Sequence, residues 1–284
     1  MPIGFIGGSG IYEALDLANE SEVEVSTPFG DPAAPVTVGE LDGTEVAFLP
    51  RHGRNHGFSP TNTPYRANLH ALKSLGCERV LSSNAVGSLR GDLPPRTLAV
   101  PDQVFDRTRS RPYTYFDEGV VVHVAFGEPY CPHMVEHLAE SARDADIDAD
   151  CERGGTYVCI EGPQFSTVAE SEFYRDQGFD VVGMTAVPEA KLAREAELCY
   201  ATVAGVTDFD VWKAGSEVTQ EEVVENAIAN EASITEVVER AVETMPAERE
   251  CDCGSALDGA VATAPSSIDA EARERYGELL GDYL

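Results

Sequence analysis

The sequence predicts one α/β domain built on a largely buried sheet. Short apolar runs recur along the chain, and several are apolar at every position, as is typical of strands buried on both faces. Segments with apolar residues at helical spacing lie between these runs, and this alternation predicts strands interleaved with helices. The chain has 284 residues, near the upper limit for a single core. We therefore predict one domain over residues 1–284, with a C-terminal extension over 246–284 that carries a C-x-C pair and a final helix.

The apolar runs are taken as the strands, in chain order. They are Ile3–Ile6, Val23–Val25, Val36–Val38, Val46–Leu49, Val80–Leu81, Leu98–Val100, Val120–Val124, Tyr157–Ile160, Val181–Val182 and Ala201–Val206. Helices are predicted where caps and apolar spacing agree. One follows Thr63-Pro64 and ends before Gly76, two begin at the capping boxes Thr167–Glu170 and Thr219–Glu222, and a last amphipathic helix runs from about Asp269 to Tyr283.

The charge of the chain excludes several classes of partner. Fifty acidic residues stand against 20 basic ones, and the net charge of −30 disfavours binding to nucleic acid or to an anionic membrane surface. Only three of the basic residues are lysines, and acid excess with lysine depletion predicts a halophilic organism. No apolar run approaches the ~20 residues of a membrane span, and Met1–Gly4 lacks a basic leader, so we expect a soluble, cytoplasmic protein.

The seven cysteines do not predict a disulfide framework in a chain of this size. Five of them are isolated in the sequence and are predicted as small buried residues: Cys77, Cys131, Cys151, Cys159 and Cys199. Cys251 and Cys253 form a C-x-C pair, which lacks the second pair that a zinc site needs. We therefore expect no metal, and a local disulfide, a thiol pair or an inert coincidence remain open.

The segment Thr207–Trp212 is the most informative one for chemistry. It follows the apolar run Ala201–Val206, and alternation along an extended chain would point Asp208 and Asp210 the same way. Two acids held side by side raise the pKa of one of them, and a protonated carboxyl can donate a proton near neutral pH. The alternative is a turn at the strand end with two solvated aspartates.

Glycine and basic segments after predicted strands are candidates for binding an anion. Gly7-Gly8-Ser9-Gly10 fails as a dinucleotide fingerprint, because Glu13 occupies the third glycine position, yet such a turn can bind one phosphate group. Arg51–His56 concentrates basic side chains in an acidic chain, and arginine matches oxyanions in bidentate geometry. Arg107–Arg111 is a second cluster without a clear strand end to position it. A tight turn and salt-bridged surface loops are the alternatives.

Small polar residues also follow two of the predicted strands. Ser82–Ser88 and Met184-Thr185 offer hydroxyls, an amide and backbone N–H groups. Ligands of α/β sheets gather at the edge where strands end, so these segments join the candidate site.

Taken together and in this order, the segments resemble the methylthioadenosine phosphorylase branch of the trimeric purine nucleoside phosphorylases. The stretches that carry the resemblance are Gly7-Gly8-Ser9-Gly10, Thr27-Pro28-Phe29-Gly30, Arg51-His52-Gly53-Arg54, Asn84-Ala85-Val86-Gly87-Ser88, Asp106-Arg107-Thr108, Glu128-Pro129-Tyr130-Cys131-Pro132, Glu161-Gly162-Pro163-Gln164-Phe165-Ser166, Met184-Thr185-Ala186-Val187-Pro188-Glu189 and Thr207-Asp208-Phe209-Asp210-Val211-Trp212. The resemblance implies a mixed, twisted and partly barrel-like sheet flanked by helices. It also implies phosphorolysis of a purine nucleoside, with inorganic phosphate as co-substrate and no cofactor.

The resemblance further implies a role for individual residues. Phosphate would be held by Ser9, Arg51, His52, Asn84, Ala85 and Thr185. The nucleoside would contact Phe165, Ser166, Met184, Thr207, Asp208, Asp210, Gln220, Val223 and Val224. His123 would reach the 5′ substituent from a neighbouring subunit, which implies a homotrimer or a dimer of trimers.

The two aspartates are the expected catalytic residues. Cleavage builds negative charge on the departing purine, and a proton delivered to N7, with Asp208 as the preferred donor, relieves it. Alternatively both acids stay ionised, accept from the 6-amino group, and a water protonates N7. The sequence leaves both mechanisms open.

Three departures from the family pattern bear on the substrate. Ser9 and Asn84 stand where threonine is common, and both still offer hydrogen bonds to phosphate. Gln220 stands roughly where an apolar residue would meet a 5′-methylthio group. Methylthioadenosine is the expected substrate, with a 6-oxopurine nucleoside or methylthioinosine as the nearest alternative. A phosphate-independent nucleosidase and a non-catalytic nucleotide-binding protein are further alternatives, and the failed glycine fingerprint opposes a dehydrogenase.

Overall fold

The computed structural model describes residues 1–8, 11, 15–213 and 218–284, so Ser9 lies outside the described residues. The strands are β1 Ile3–Gly7, β2 Ala18–Val23, β3 Val36–Leu41, β4 Thr44–Pro50, β5 Arg79–Ser88, β6 Leu98–Val100, β7 Gln103–Arg107, β8 Cys151–Arg153, β9 Thr156–Ile160, β10 Val181–Gly183 and β11 Cys199–Asp208. The helices are α1 Tyr65–Ser74, α2 Pro132–Asp144, α3 Val168–Asp176, α4 Ala186–Glu195, α5 Gln220–Glu243 and α6 Ala270–Leu280.

Helix boundaries follow the predicted capping residues. Thr167 and Glu170 form the reciprocal capping box at the start of α3, and Thr219 accepts from the backbone N–H of Glu222 at the start of α5. Asp269 caps α6 in the same way, by accepting from Ala272. Helix α1 begins one residue later than Thr63-Pro64 suggests, since Pro64 itself is the N-cap. These local bonds explain why the helix starts were predictable.

The strands form one mixed sheet, which confirms the predicted α/β class. The continuous path runs β2-β3-β4-β1-β5-β10-β9-β7, while β11 pairs with β5 and with β6, and β6 pairs with β8. Parallel pairs (β1 with β4, β5 with β11) and antiparallel pairs (β2 with β3, β5 with β10) both occur. Strand β5 is therefore the branch point of the sheet, and β11 is its parallel neighbour along almost all of its length.

Several predicted strands need correction. Val120–Val124 is not a strand: among the described residues it makes one isolated bridge, Val122 to Val261, with flanking hydrogen bonds to the C-terminal extension. Strands β7 and β8 were missed, since β7 alternates between half-buried and exposed residues and β8 has only three residues. Strand β2 lies earlier than the apolar run Val23–Val25 suggested and is mostly exposed, as an edge strand is.

The C-terminal extension packs into the main core. Buried side chains of 246–284, among them Leu257, Tyr276 and Leu280, belong to the same hydrophobic cluster as Phe5 and Leu72. Removing such side chains from water stabilises the extension on the domain by roughly 2 kcal/mol each. Within the described residues, no helix has both the length and the apolar composition needed to cross a bilayer.

Four cysteines that are distant in sequence meet at one place. The sulfur atoms of Cys131, Cys199, Cys251 and Cys253 all lie within 4.8 Å of one another. The premise that the C-x-C pair lacks a second pair is therefore wrong, because the start of α2 and the start of β11 supply one. Neither Cys131 nor Cys199 carries a spacing signal in the sequence, so only the fold reveals the cluster.

Candidate active site

The site lies where strand β5 changes partners along one of its edges. On that edge β1 pairs with residues 79–82 and β10 with residues 87–88, so within the described residues the segment 83–86 has neither strand beside it. The other edge is paired with β11 throughout. Ser82–Ser88 was predicted to follow a strand and instead lies inside β5. The gap leaves room for side chains to approach the middle of the sheet.

Arg51 fills the end of this gap next to β1. Its Nε and Nη2 donate to Glu189 of α4, each at 2.8 Å, and its Nη1 donates to the carbonyl oxygen of Ser83 at 2.8 Å. The pair is fully buried, with side-chain exposures of 1% and 0%. Burial opposes the guanidinium charge, but Glu189 outweighs it, so the pKa of Arg51 lies above its ordinary value. Three of the five N–H groups are thus occupied within the described residues, which leaves two for an anion.

Glu189 is itself held in place by the strand next to β5. The Tyr200 hydroxyl donates to its Oε1 at 2.6 Å, and Tyr200 also exchanges a hydrogen bond with Ser82 at 2.8 Å. The motif Met184–Glu189 was singled out in the sequence, yet the role of Glu189 was missed, because its partner Arg51 is far away along the chain. A buried glutamate beside apolar residues was the available signal.

His52 is a neutral imidazole of defined tautomer. Its Nδ1 lies 2.9 Å from the carbonyl oxygen of Phe58 and 3.1 Å from the Thr63 hydroxyl, which itself donates to the carbonyl of Ser59. Both contacts require a proton on Nδ1, so Nε2 is an acceptor. Burial and the adjacent charge of Arg51 lower the pKa of His52 to about 3. His52 therefore carries no charge at physiological pH.

Asn84 and Thr185 meet across the gap. The Asn84 amide nitrogen donates to the Thr185 hydroxyl oxygen at 2.5 Å, and the Asn84 amide oxygen accepts from Thr202 of β11. These contacts fix the orientation of the amide, and they leave the Thr185 hydroxyl proton to donate elsewhere. Thr185 precedes α4, where Val187 is extended and donates its N–H to the Cys159 sulfur, and Pro188 has no N–H, so we do not count this helix N-terminus among the anion donors. Ala85 follows Asn84 in β5 and is partly exposed at the same gap.

Arg111 positions the turn that carries Met184 and Thr185. Its Nη1 donates to the carbonyl oxygens of Met184 at 2.6 Å and of Val187 at 2.5 Å, and the residue is 4% exposed. No strand end was predicted before the cluster Arg107–Arg111, but β7 ends at Arg107 and positions it. The interpretation of this cluster as a surface loop is therefore wrong for Arg111.

Asp208 and Asp210 are both buried at the end of β11, with exposures of 4% and 3%. The strand stops at Asp208, and Asp210 takes a left-handed conformation with φ of 49°. Asp208 accepts from the Thr207 hydroxyl through Oδ2 and from the backbone N–H of Asp210 through Oδ1, each at 2.7 Å. The two acids are thus brought together by a local turn, and not by strand alternation as predicted.

The pKa of each aspartate lies above its ordinary value. Burial is the main cause for both, and the charge of Asp208 adds to it for Asp210. The Ser166 and Ser171 hydroxyls lie beside the Asp210 carboxylate. Within the described residues, however, neither hydroxyl nor Asp210 Oδ2 completes a hydrogen bond of good geometry. Buried polar atoms without partners are costly, so this end of the site is built to receive a polar ligand.

Some of the other predicted nucleoside contacts lie beside Asp208 and Asp210. Ser166 adjoins Asp210, Phe165 is its exposed neighbour, and Thr207 precedes Asp208. Met184 lies against Gly162, where an added Cβ would meet its sulfur at 2.5 Å, and φ of 67° also favours glycine. The motif Glu161–Ser166 is thereby held close to the Thr185 turn.

Of the remaining predicted contacts, three are exposed and one is half-buried. Gln220 and Val224 are exposed in the first turns of α5, and Val223 is half-buried between them. His123 is exposed, and its backbone N–H donates to Ala260 at 2.9 Å. Their contacts with a nucleoside stay predictions, and that of His123 requires a second subunit.

A short stretch of β5 separates the candidate anion centre, defined as Arg51, Asn84 and Thr185, from the pair Asp208 and Asp210. Asn84 marks the anion centre, and Gly87 is the register partner of Asp208. Three residues of strand span about 10 Å. The group that contains Arg51, Asn84 and Thr185 thus lies about 10 Å along the strand from the two buried acids.

Comparisons with known proteins agree with this geometry. A family model described as the phosphorylase superfamily matches residues 2–243. S-methyl-5'-thioadenosine phosphorylase of Koribacter versatilis (strain Ellin345) is 48% identical over 283 residues, covering 99% of this chain and 96% of that protein. A crystal structure of methylthioadenosine phosphorylase from an antarctic soil metagenomic library matches with a TM-score of 0.93 at 43% identity, covering 98% of each chain. A mutant of adenosine/methylthioadenosine phosphorylase from Schistosoma mansoni, solved with adenine, has a TM-score of 0.86 at 34% identity, covering 92% of this chain and 99% of that chain.

Proposed function

This chain belongs to the phosphorylase superfamily, and we propose that it converts S-methyl-5'-thioadenosine and phosphate to adenine and 5-methylthioribose 1-phosphate. The observation that carries the proposal is the pairing of an anion pocket with two buried aspartates about 10 Å apart along one strand. A phosphorolytic enzyme needs both: a place that fixes the nucleophile and a place that takes up charge on the leaving base. The similarity to methylthioadenosine phosphorylases favours this substrate.

At the anion centre, phosphate is the nucleophile. The two remaining N–H groups of Arg51 and the Thr185 hydroxyl are its proposed donors, and Asn84 and the backbone at Ala85 complete the set. Neutral His52 offers Nε2 as an acceptor, which suits the hydroxyl of a protonated phosphate. Donors fixed before the substrate arrives need no reorganisation during the reaction, which is how preorganised sites lower a barrier.

The base centre consists of Asp208 and Asp210. There the leaving purine receives a proton. A phosphate oxygen bonds to C1′ while the bond from C1′ to N9 breaks, and its electron pair passes into the purine ring. Protonated Asp208 then gives its proton to N7 and is reprotonated from solvent. Asp210, whose Oδ2 has no hydrogen-bond partner among the described residues, accepts from the 6-amino group. The alternative, in which both acids are ionised and water protonates N7, uses the same residues.

Adenosine is the second candidate substrate. Gln220 is polar and exposed in the first turn of α5, near which the 5′ substituent is expected, and an amide suits a 5′-hydroxyl better than a methylthio group. The similar enzyme from Schistosoma mansoni is described as acting on both adenosine and methylthioadenosine. Inosine and methylthioinosine are less favoured, because carboxylates accept hydrogen bonds from a 6-amino group but repel a 6-oxo group.

Purine release tests the proposal. We would measure it in high potassium chloride, with and without phosphate, from methylthioadenosine, adenosine, inosine and methylthioinosine. Phosphate-dependent adenine release, fastest from methylthioadenosine, is the expected result. Preference for inosine would overturn the assignment of the aspartates to a 6-amino base, and release without phosphate would identify a nucleosidase instead.

We further propose a homotrimer, or a dimer of trimers, acting in the cytoplasm of a halophile. The exposed position of His123 is compatible with a contact across a subunit boundary, and the net charge of −30 is compatible with high salt. Light scattering across a salt series measures the assembly state, and a monomer that is fully active in high salt would contradict this proposal.

A further inference from the structure

A second group of reactive side chains lies at the end of β11 opposite Asp208. Cys199 is the first residue of β11, and Cys131 is the N-cap of α2. Cys251 and Cys253 come from the segment that follows α5, in the C-terminal extension. Cys131, Cys199 and Cys253 are buried, and Cys251 is partly exposed. Nine residues of strand separate Cys199 from Asp208, which is about 30 Å, so this cluster takes no part in the proposed reaction.

The spacing of the sulfur atoms fits a tetrahedral metal site. All four lie within 4.8 Å of one another, and those of Cys199 and Cys251 are 3.2 Å apart. A Zn²⁺ ion with four Zn–S bonds of about 2.3 Å places its sulfurs about 3.8 Å apart. A disulfide needs about 2.05 Å. Four sulfur atoms that all lie within 4.8 Å of one another match the edges of a tetrahedron better than they match two separate disulfide bonds.

The surroundings of the cluster suit bound thiolates. Cys131 is the N-cap of α2, and the N-terminus of a helix favours a thiolate. Arg194 Nη1 lies 3.7 Å from the Cys253 sulfur, and Arg79 and Arg249 line the adjoining cavity. Four thiolates on one Zn²⁺ carry a net charge of −2. Neighbouring guanidinium groups and N–H donors offset that charge, as the outer shell of a metal site does.

A metal ion has a route to the cluster. A surface cavity of about 60 Å³ is lined by Cys131, Cys199 and Cys251, and it is bordered by His133 and His137. Two of the four ligands come from the body of the domain and two from the C-terminal extension. A bound ion would therefore add a link between the domain and the extension, which are also joined by packing and by polar contacts such as the ion pair of Arg249 with Glu78.

We propose that Cys131, Cys199, Cys251 and Cys253 bind one Zn²⁺ ion as a closed structural site. Binding converts four thiols to thiolates and releases their four protons to solvent. With all four positions taken by protein, no site for water or substrate remains, as in structural zinc sites generally. The function of the ion is to fasten the C-terminal extension to α2 and β11.

Metal content and thiol count together test the proposal on the full chain. Protein purified in high potassium chloride with a thiol reductant should contain about one zinc per chain. After chelation, Co²⁺ should give the intense visible bands of tetrahedral cobalt bound by thiolates. The double variant C251S/C253S should lose the ion. Cys151→Ser, a partly buried cysteine outside the cluster, should retain it and serves as the matched control.

The outcomes separate the alternatives even if the double variant fails to fold. Denatured wild-type protein, with chelator and without reductant, should present seven titratable thiols. Fewer thiols without zinc would mean disulfides within the cluster and would overturn the proposal. Seven thiols in a folded protein that takes up neither zinc nor cobalt would also overturn it. Retention of the ion in C251S/C253S would reject these ligands.

Discussion

The two ends of the site are assembled in different ways. At the anion centre, Arg51 is held by Glu189 and Ser83, which lie 138 and 32 residues away in sequence. At the base centre, Asp208 is held by its own neighbours, Thr207 and Asp210. The first centre exists only when β4, β5 and α4 are packed together, whereas the hydrogen bonds that hold Asp208 lie within a turn of four residues. Phosphate therefore meets a rigid pocket, and the purine meets a local structure that is easier to alter.

The two centres also differ in charge. The positive charge of Arg51 is already compensated by Glu189, and His52 is neutral. The anion centre thus depends on oriented donors more than on net charge. The base centre holds two acids whose pKa values are raised by burial, so its charge changes with pH. Mutations at the anion centre should affect stability and phosphate affinity. Mutations at the base centre should affect base specificity and the pH dependence of activity.

The largest effect is expected for Glu189→Gln. The substitution leaves the buried guanidinium of Arg51 without its carboxylate, and breaking such a pair costs about 3 kcal/mol or more in the free energy of unfolding. A displaced Arg51 should also raise the KM for phosphate by about 10- to 100-fold, since each factor of ten is about 1.4 kcal/mol. Denaturant unfolding and phosphate titration measure the two effects.

Glu195→Gln is the matched control, because it lies in the same helix and is also buried. Burial raises the pKa of Glu195 to about 7, and its carboxylate accepts from Tyr115 and Thr114, which an amide oxygen can replace. This variant should keep the wild-type KM for phosphate. Equal effects of both substitutions would show that Glu189 acts only through general packing.

Asp208→Asn should lower kcat for methylthioadenosine at least tenfold while leaving the KM for phosphate unchanged. An amide cannot give a proton to N7, whereas the anion centre does not contact this residue. Steady-state kinetics with each substrate varied in turn separates the two parameters. Unchanged turnover would remove Asp208 from the role of proton donor, and a parallel rise in the KM for phosphate would show that the two ends are not independent.

Asp210→Asn should change which purine is preferred. The amide can donate to a 6-oxo group, so the ratio of kcat/KM for inosine to that for adenosine should rise about tenfold, the effect of one good hydrogen bond to a charged group. Comparing both nucleosides with one enzyme preparation removes any loss of folded protein. A fall for both substrates with no change in the ratio would contradict the assignment of Asp210 to the 6-amino group.

Thr207→Val should give the smallest effect, a shift of the pH profile. Asp208 acts in its protonated form, so activity is lost as the pH rises through its pKa. The Thr207 hydroxyl donates to Asp208 and stabilises the ionised form, so removing it raises the pKa. The alkaline limb should move upward by about one pH unit, because such a bond is worth about 1.5 kcal/mol.

Thr202→Val is the control at the opposite end, since Thr202 donates to Asn84 and not to an acid. It should raise the KM for phosphate and leave the alkaline limb in place. An unmoved alkaline limb, together with an acid limb that moves upward in Thr207→Val, would show that the ionised carboxylate, and not the acid, is the active form.

The difference between the two centres also explains what the sequence could predict. The α/β class, most strands and the helix starts follow from apolar runs and capping residues, which are local. The aspartate pair was visible because its partners are adjacent in sequence. Tertiary packing brings Arg51 to Glu189 and Arg111 to the carbonyl oxygens of Met184 and Val187. It also brings the four cysteine sulfurs together. No local pattern specifies which distant residues will face each other.

The rigidity of strand β5 bears on the design of inhibitors. Because Asn84 and Gly87 lie on one rigid strand, the separation of about 10 Å between the two recognition centres cannot adjust to the ligand. A compound that joins a stable anion to a purine should bind best at one linker length, and affinity should fall steeply when one bond is added or removed. The strand would thus set the linker length that an inhibitor needs.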